Sequence, residues 1–94
     1  MESPARPGLR DALGDVLRDE RHRQQRTLRD VADDAAVSVP YLSEVERGRK
    51  DASAEVLEAI GRALDVEVAD ILDRTAQTLR TSAIGSSAMF ALAA

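Results

Sequence analysis

Ser38-Val39-Pro40-Tyr41-Leu42-Ser43-Glu44-Val45-Glu46-Arg47-Gly48-Arg49-Lys50 is the stretch that decides how this chain folds. Ser38 has the chemistry of an N-cap, since its hydroxyl oxygen can accept from a backbone N–H one turn in, and Pro40 fits a first turn where no N–H is needed. Gly48 is the stop, because glycine takes the left-handed conformation past a last turn without a Cβ penalty. Between these ends the helical period sets Leu42 and Val45 on one face and Tyr41, Ser43, Glu44 and Arg47 elsewhere. Arg49 and Lys50 follow at once. A helix this short is unstable alone and needs a scaffold to hold it. What it leaves exposed is a row of polar side chains beside a basic loop, the outline of an element that reads nucleic acid.

The flanking sequence supplies the scaffold. Residues 1–8, with Pro4, Pro7 and Gly8, read as a disordered lead-in. Leu9, Ala12, Leu13, Val16 and Leu17 recur at helical spacing and predict a first helix from about Leu9 to Arg23. Thr27 with Asp30 makes a capping-box pattern for a second helix whose inner face is Leu28, Val31, Ala32 and Ala35. About three residues then separate it from the Ser38 helix, the tight spacing of a helix-turn-helix unit. Downstream, Ser53 caps a fourth helix along Val56, Leu57, Ile60, Ala63 and Leu64, and Glu55 stands in its first turn where negative charge suits the helix dipole. Asp65 takes the next turn because it tolerates a left-handed backbone.

A fifth helix along Val68, Ile71, Leu72, Thr75 and Leu79 holds its period to about Arg80, roughly one turn more than a small core requires. Ile71, Thr75 and Leu79 are therefore the candidate contacts to a second copy. Residues 81–94 are rich in Ser, Gly and Ala and read as a flexible tail. The expected plan is a domain over 9–73, a helix extension over 74–80 and a tail over 81–94.

Composition narrows the function. With 94 residues, 44% hydrophobic and 2% aromatic, the chain is expected to form one small all-α domain with a thin aliphatic core. Pairing with a second copy would bury more apolar surface. No cysteine is present, which removes disulfides, thiolate zinc sites and a cysteine nucleophile, and the lone His22 cannot build a His-based metal site or triad. No constellation meets the needs of an enzyme, and no cofactor is implied. Without a secretory signal or an apolar run long enough to cross a bilayer, the expectation is a cytoplasmic protein with no membrane partner.

The net charge of −4 argues against a polyanion partner until its distribution is read. Residues 1–50 carry ten basic and ten acidic side chains, while residues 51–94 carry three basic and seven acidic. The cations of the first half cluster as Arg21, Arg23, Arg26 and Arg29, then as Arg47, Arg49 and Lys50. A local basic strip on an acidic molecule still binds DNA, with strong salt dependence. The plain alternative for each arginine is a solvated helix surface.

Val31-Ala32, Val37-Ser38, Tyr41-Leu42-Ser43, Val45-Glu46-Arg47-Gly48-Arg49 and Ser53 resemble Xre-type, phage-repressor-like helix-turn-helix domains over about Leu9 to Asp73. Within that family, Thr27-Leu28-Arg29-Asp30-Val31-Ala32 and Tyr41 through Lys50 are similar to the actinobacterial regulators of Clp protease genes. The resemblance implies a five-helix DNA-binding domain with the third helix in the major groove and, with the extended last helix, a homodimer on a near-palindromic duplex operator. It implies base-facing positions at Val39, Pro40, Ser43 and Glu44, at the N-terminal end opened by Ser38, with Tyr41, Arg47, Arg49 and Lys50 on phosphates. Thr27, the backbone N–H groups after it and Arg29 would add phosphate contacts, because Leu28 stands where many relatives place a phosphate-binding glutamine. Val39 and Pro40 carry no donors and could touch only thymine methyls, whereas Glu44 could accept from cytosine N4. Tyr41 has an alternative reading as an interhelix contact. The resemblance also assigns Arg21 and Glu46 to an internal ion pair.

The chain ends Ala91-Leu92-Ala93-Ala94, similar to the end of the tmRNA-encoded degradation tag read by Clp unfoldases. An alanine-rich frayed end is the plain alternative. If the tag reading holds, the Clp protease is a second partner, as degrader. The competing function is an antitoxin-like or adaptor protein that uses the same scaffold to bind protein, which the acidic second half favours.

Overall fold

The computed structural model describes the backbone of residues 8–93 and the side chains of residues 8–81. Its described residues form helices α1 (Leu9–Arg23), α2 (Leu28–Ala35), α3 (Val39–Glu46), α4 (Ala54–Leu64) and α5 (Val68–Ala93), with no strand. Each start has a local cause. The Asp11 carboxylate accepts from the Gly8 N–H at 3.1 Å. Thr27 Oγ1 accepts from Asp30 N–H at 3.0 Å while Asp30 accepts from Thr27 N–H at 3.1 Å, the reciprocal capping box expected from the sequence. The Thr27 N–H first, and then the Thr27 side chain beside it, hold the Asp30 carboxyl below its usual range. Ser38 and Ser53 cap α3 and α4 by accepting from Tyr41 N–H and Val56 N–H. Caps of this kind are worth about 1 kcal/mol each, a useful share of a small domain's stability.

The stops are as local as the starts. Gly48 has φ 76°, past the last turn of α3, and Asp65 has φ 58°, as its turn assignment requires. Ala36 (φ 59°) and Gln25 (φ 57°) take the same left-handed conformation with no glycine or Asp/Asn to announce it. Ala36 is held there by its neighbours: its own N–H donates to Asp33 O and the Val37 N–H reaches back to Ala32 O at 3.0 Å.

The core is aliphatic. Leu17, Val31, Ala32, Leu42, Val45, Ile60, Leu64 and Ile71 are buried from all five helices, and burying a side chain of the Leu or Ile class contributes about 1.5–3 kcal/mol. α2 and α4 pack on one another, α1 lies against both α3 and α5, and α5 touches α4 only lightly. This arrangement holds α3 by its Leu42 and Val45 side and leaves the opposite side in solvent.

Two expectations for the last helix change. It does not end near Arg80 but runs to Ala93, because the alanine-rich stretch contains no proline and its single interior glycine is tolerated at a modest cost. Ile71 and Thr75 do not face a second copy. Each is 2% exposed, Ile71 in the core and Thr75 with its hydroxyl donating to Ile71 O at 2.7 Å. The helical register turns 68, 71 and 75 inward against α1 and α4, which leaves the outer stripe to Leu72, Ala76 and the half-buried Leu79. No helix among the described residues is long and apolar enough to cross a membrane. Ala91, Leu92, Ala93 and Ala94 lie outside the residues whose side chains are described, as does all but Gly8 of the expected lead-in.

Candidate nucleic-acid interface

α3 meets solvent along Pro40, Ser43, Glu44 and Arg47, which are spaced i, i+3, i+4, i+7 and so share one face. Leu42, Val45 and Glu46 are buried on the other. Arg49 and Lys50, both exposed, extend the open face past the turn at Gly48. Glu44 and Arg47 lie 3.8 Å apart, a loose contact in solvent that leaves both groups able to turn to a ligand. Exposed Thr27 and Arg29 stand at the start of α2, and Ser38 at the start of α3, so two helix N-termini open toward solvent at the helix-turn-helix unit.

Two residues assigned to DNA by the resemblance are spent inside the domain. Val39 is half-buried against the core, because it stands three residues before Leu42 on the inner side of the helix, so Pro40 alone remains of the apolar pair. Tyr41 packs beside the core and its hydroxyl donates to the Asp51 carbonyl at 2.7 Å, tying α3 to the loop behind it. Its alternative reading as an interhelix contact fits this geometry, and a phosphate would find that proton already engaged.

The first arginine cluster also divides. Arg21 is buried and makes two bonds to Glu46, Nε to Oε2 at 2.8 Å and Nη2 to Oε1 at 2.9 Å, the internal pair that the resemblance implies. Arg23 bonds Glu20 at 2.6 Å. Arg26 pairs with Asp34 and donates to the Ala63 carbonyl at the end of α4. Arg29 alone of that cluster has no ion pair among the described residues. Of the two clusters, the cations open to a polyanion are thus Arg29, Arg47, Arg49 and Lys50, fewer than the charge count suggested.

Sequence reading missed how the basic loop is held. Arg10 at the start of α1 makes a paired contact to Asp51, with its Nε at 2.5 Å and its Nη2 at 3.1 Å from the two carboxylate oxygens. A Cβ on Gly48 would collide with the Asp11 side chain, so the N-terminal turn of α1 sits directly on the loop. No spacing in the sequence signals a bond across 41 residues.

The profile of the helix-turn-helix domain family matches residues 12–81. The transcriptional regulator ClgR of Mycobacterium tuberculosis is 53% identical over 64 residues, covering 68% of this chain and 57% of that protein, so the chain spans a little over half the length of this curated relative. The crystal structure of the clp gene regulator ClgR from Corynebacterium glutamicum superposes with a TM-score of 0.83 at 42% identity and covers 92% of both chains. The restriction-modification controller protein C.Esp1396I, as a tetramer in complex with its natural 35 base-pair operator, shares the fold with a TM-score of 0.72 at 20% identity, over 78% of this chain and 96% of that one.

Proposed function

The chain belongs to the helix-turn-helix domain family, and on that footing we propose that it is a sequence-specific DNA-binding transcription regulator. The observation that carries this reading is the open face of α3, where Pro40, Ser43, Glu44 and Arg47 stand in one line that Arg49 and Lys50 continue. Bound as a homodimer, two such faces enter successive major grooves about 34 Å apart on a near-palindromic site. The outer stripe of α5, with Leu72 51% exposed beside Ala76 and Leu79, supports a contact between copies. The likeness to the clp gene regulator ClgR supports control of clp genes; within this proposal the protein acts on Clp protease genes as an activator in the cytoplasm.

Division of labour within the interface follows from charge and donor count. Glu44 is the one carboxylate on the open face of α3, an acceptor with no donor of its own, whereas the Ser43 hydroxyl can serve either way, so Glu44 sets which base is read; Arg49 meets phosphate whatever the sequence. In binding measurements on a selected duplex, Arg49→Ala weakens every sequence alike and lowers the slope of log affinity against log salt by about one per protomer. Glu44→Ala instead changes the preferred base at one position of each half-site, a discrimination of about 1–3 kcal/mol. If the two variants acted alike, this division would fail. A wild-type chain with no duplex preference would point to the adaptor reading.

The stretch Ala91-Leu92-Ala93-Ala94 serves, in this reading, as a segment recognised by the Clp protease, so that protease level limits its own activator. Replacing Ala93 and Ala94 with Asp lengthens the half-life of the protein in cells that contain the protease. An unchanged half-life removes the tag from the account and leaves the DNA reading untouched.

A further inference from the structure

We propose that Arg74, seated on the buried carboxylate of Glu20, is a positioning residue that fixes the direction in which α5 leaves the domain. Through that direction it sets the half-site spacing at which two copies read DNA. The inference rests on the homodimer reading above.

α5 packs on the core along its first two turns, where Val68 rests on the cluster and Ile71 and Thr75 are buried, and α1 is its main neighbour. Beside and beyond Arg74, the space between α1 and α5 is an open groove lined by Val16, Asp19, Arg23, Gln77, Thr78 and Thr81. Among the described residues, the Arg74 Nη1 to Glu20 Oε1 bond at 2.6 Å is the one side-chain hydrogen bond from α5 to another helix; Thr75 and Thr78 donate to their own helix.

Glu20 is a junction rather than a surface pair. It is 3% exposed, and its second oxygen accepts from Arg23 at 2.6 Å and from Gln24 at 2.7 Å. The same Gln24 amide donates to Leu64 O at 2.8 Å, at the end of α4. One carboxylate therefore references α5 to both α1 and α4. Its bond to Arg23 first, then those to Gln24 and Arg74, hold its pKa down to about 2 against the opposing effect of burial, so it remains charged in any ordinary buffer. Each residue adds about 1.5 Å of helix, so a small tilt at Arg74 grows along α5 and moves Ala76 and Leu79, which lie beyond it, relative to Leu72 and α3. Removing Arg74 alone leaves Glu20 paired with Arg23 and Gln24, so the fold should stand.

The test compares the full wild-type chain with Arg74→Met, which keeps the apolar stem, and Arg74→Lys, which keeps a donor. Light scattering reports the mass, and binding is measured on an isolated half-site and on palindromes whose spacer changes in single base pairs. The wild type should be a dimer with one preferred spacing. Arg74→Met should cut the preference for that spacing over its neighbours by about tenfold, with half-site affinity within about twofold of wild type and with partial recovery in Arg74→Lys. An unaltered spacing profile in Arg74→Met overturns the inference, as does a loss that is equal on every spacer and on the half-site. A wild-type chain that is monomeric or indifferent to spacing overturns the homodimer reading itself, and the inference falls with it.

Discussion

Glu46→Ala lowers the stability of the domain by about 3–5 kcal/mol, most of what a fold of this size has, because the Arg21 guanidinium is then left buried without its counter-charge. The pair is bidentate, at 2.8 and 2.9 Å, and both side chains are nearly sealed from water. Arg21 also donates through Nη1 to the Arg26 carbonyl at 3.0 Å, so losing Glu46 disturbs the turn between α1 and α2 as well. The thermal midpoint should drop by on the order of 20 °C, and Arg21→Ala should cost a comparable amount. The double replacement Arg21→Met with Glu46→Leu should recover most of the loss, since a buried ion pair exchanged for apolar groups of similar volume is often neutral or better. A thermal or denaturant melt decides the matter: a single-variant loss below about 1 kcal/mol would mean that the pair is effectively solvated.

Gly14→Ala is expected to displace α3 or unfold the domain, although it adds one methyl group. A Cβ at that position would lie 2.7 Å from the Val45 carbonyl oxygen and closer still to that of Glu46. These are backbone atoms at the end of the reading helix and cannot swing aside as a flexible side chain would. Relief has to come from sliding α1 off α3, with a cost at or above the 1–3 kcal/mol typical of overpacked cores, even though alanine is the better helix former by about 1 kcal/mol. The informative readout is paired: the melt shifts down, and duplex affinity at a temperature where the variant is still folded falls as well, because α3 no longer presents its open face squarely. Stability equal to or above wild type would show that α1 and α3 are not in backbone contact.

How much of this was legible beforehand depends on the distance over which each feature is determined. Caps at Thr27, Ser38 and Ser53 and stops at Gly48 and Asp65 are local, so three helix starts and two stops read directly from residue type. The inner faces were legible for the same reason, since Leu42 with Val45 and Val56 through Leu64 follow the helical period. The left-handed turn at Ala36 was not, because it is imposed by hydrogen bonds to Ala32 and Asp33 rather than by the residue itself. Site residues were read less well than elements. The resemblance assigns Tyr41 and Val39 to DNA, but neither it nor helical spacing tells where the edge of α3 meets the loop at Asp51 or the core. Ile71 and Thr75 were counted toward a partner although a periodic stripe always needs its own domain first. The ties from Arg10 to Asp51, Gln24 to Leu64 and Arg74 to Glu20 span 41, 40 and 54 residues, and only the folded chain brings them together.

Salt dependence of binding to a selected duplex tests the central claim most directly, namely that the face of α3 with its basic exit engages DNA. Arg29, Arg47, Arg49 and Lys50 from two copies give roughly eight phosphate contacts, which predicts a slope of log affinity against log salt of about −7, with tighter binding to the selected site than to random duplex at every salt concentration. Binding that is insensitive to salt, or equal on selected and random duplexes, would contradict it.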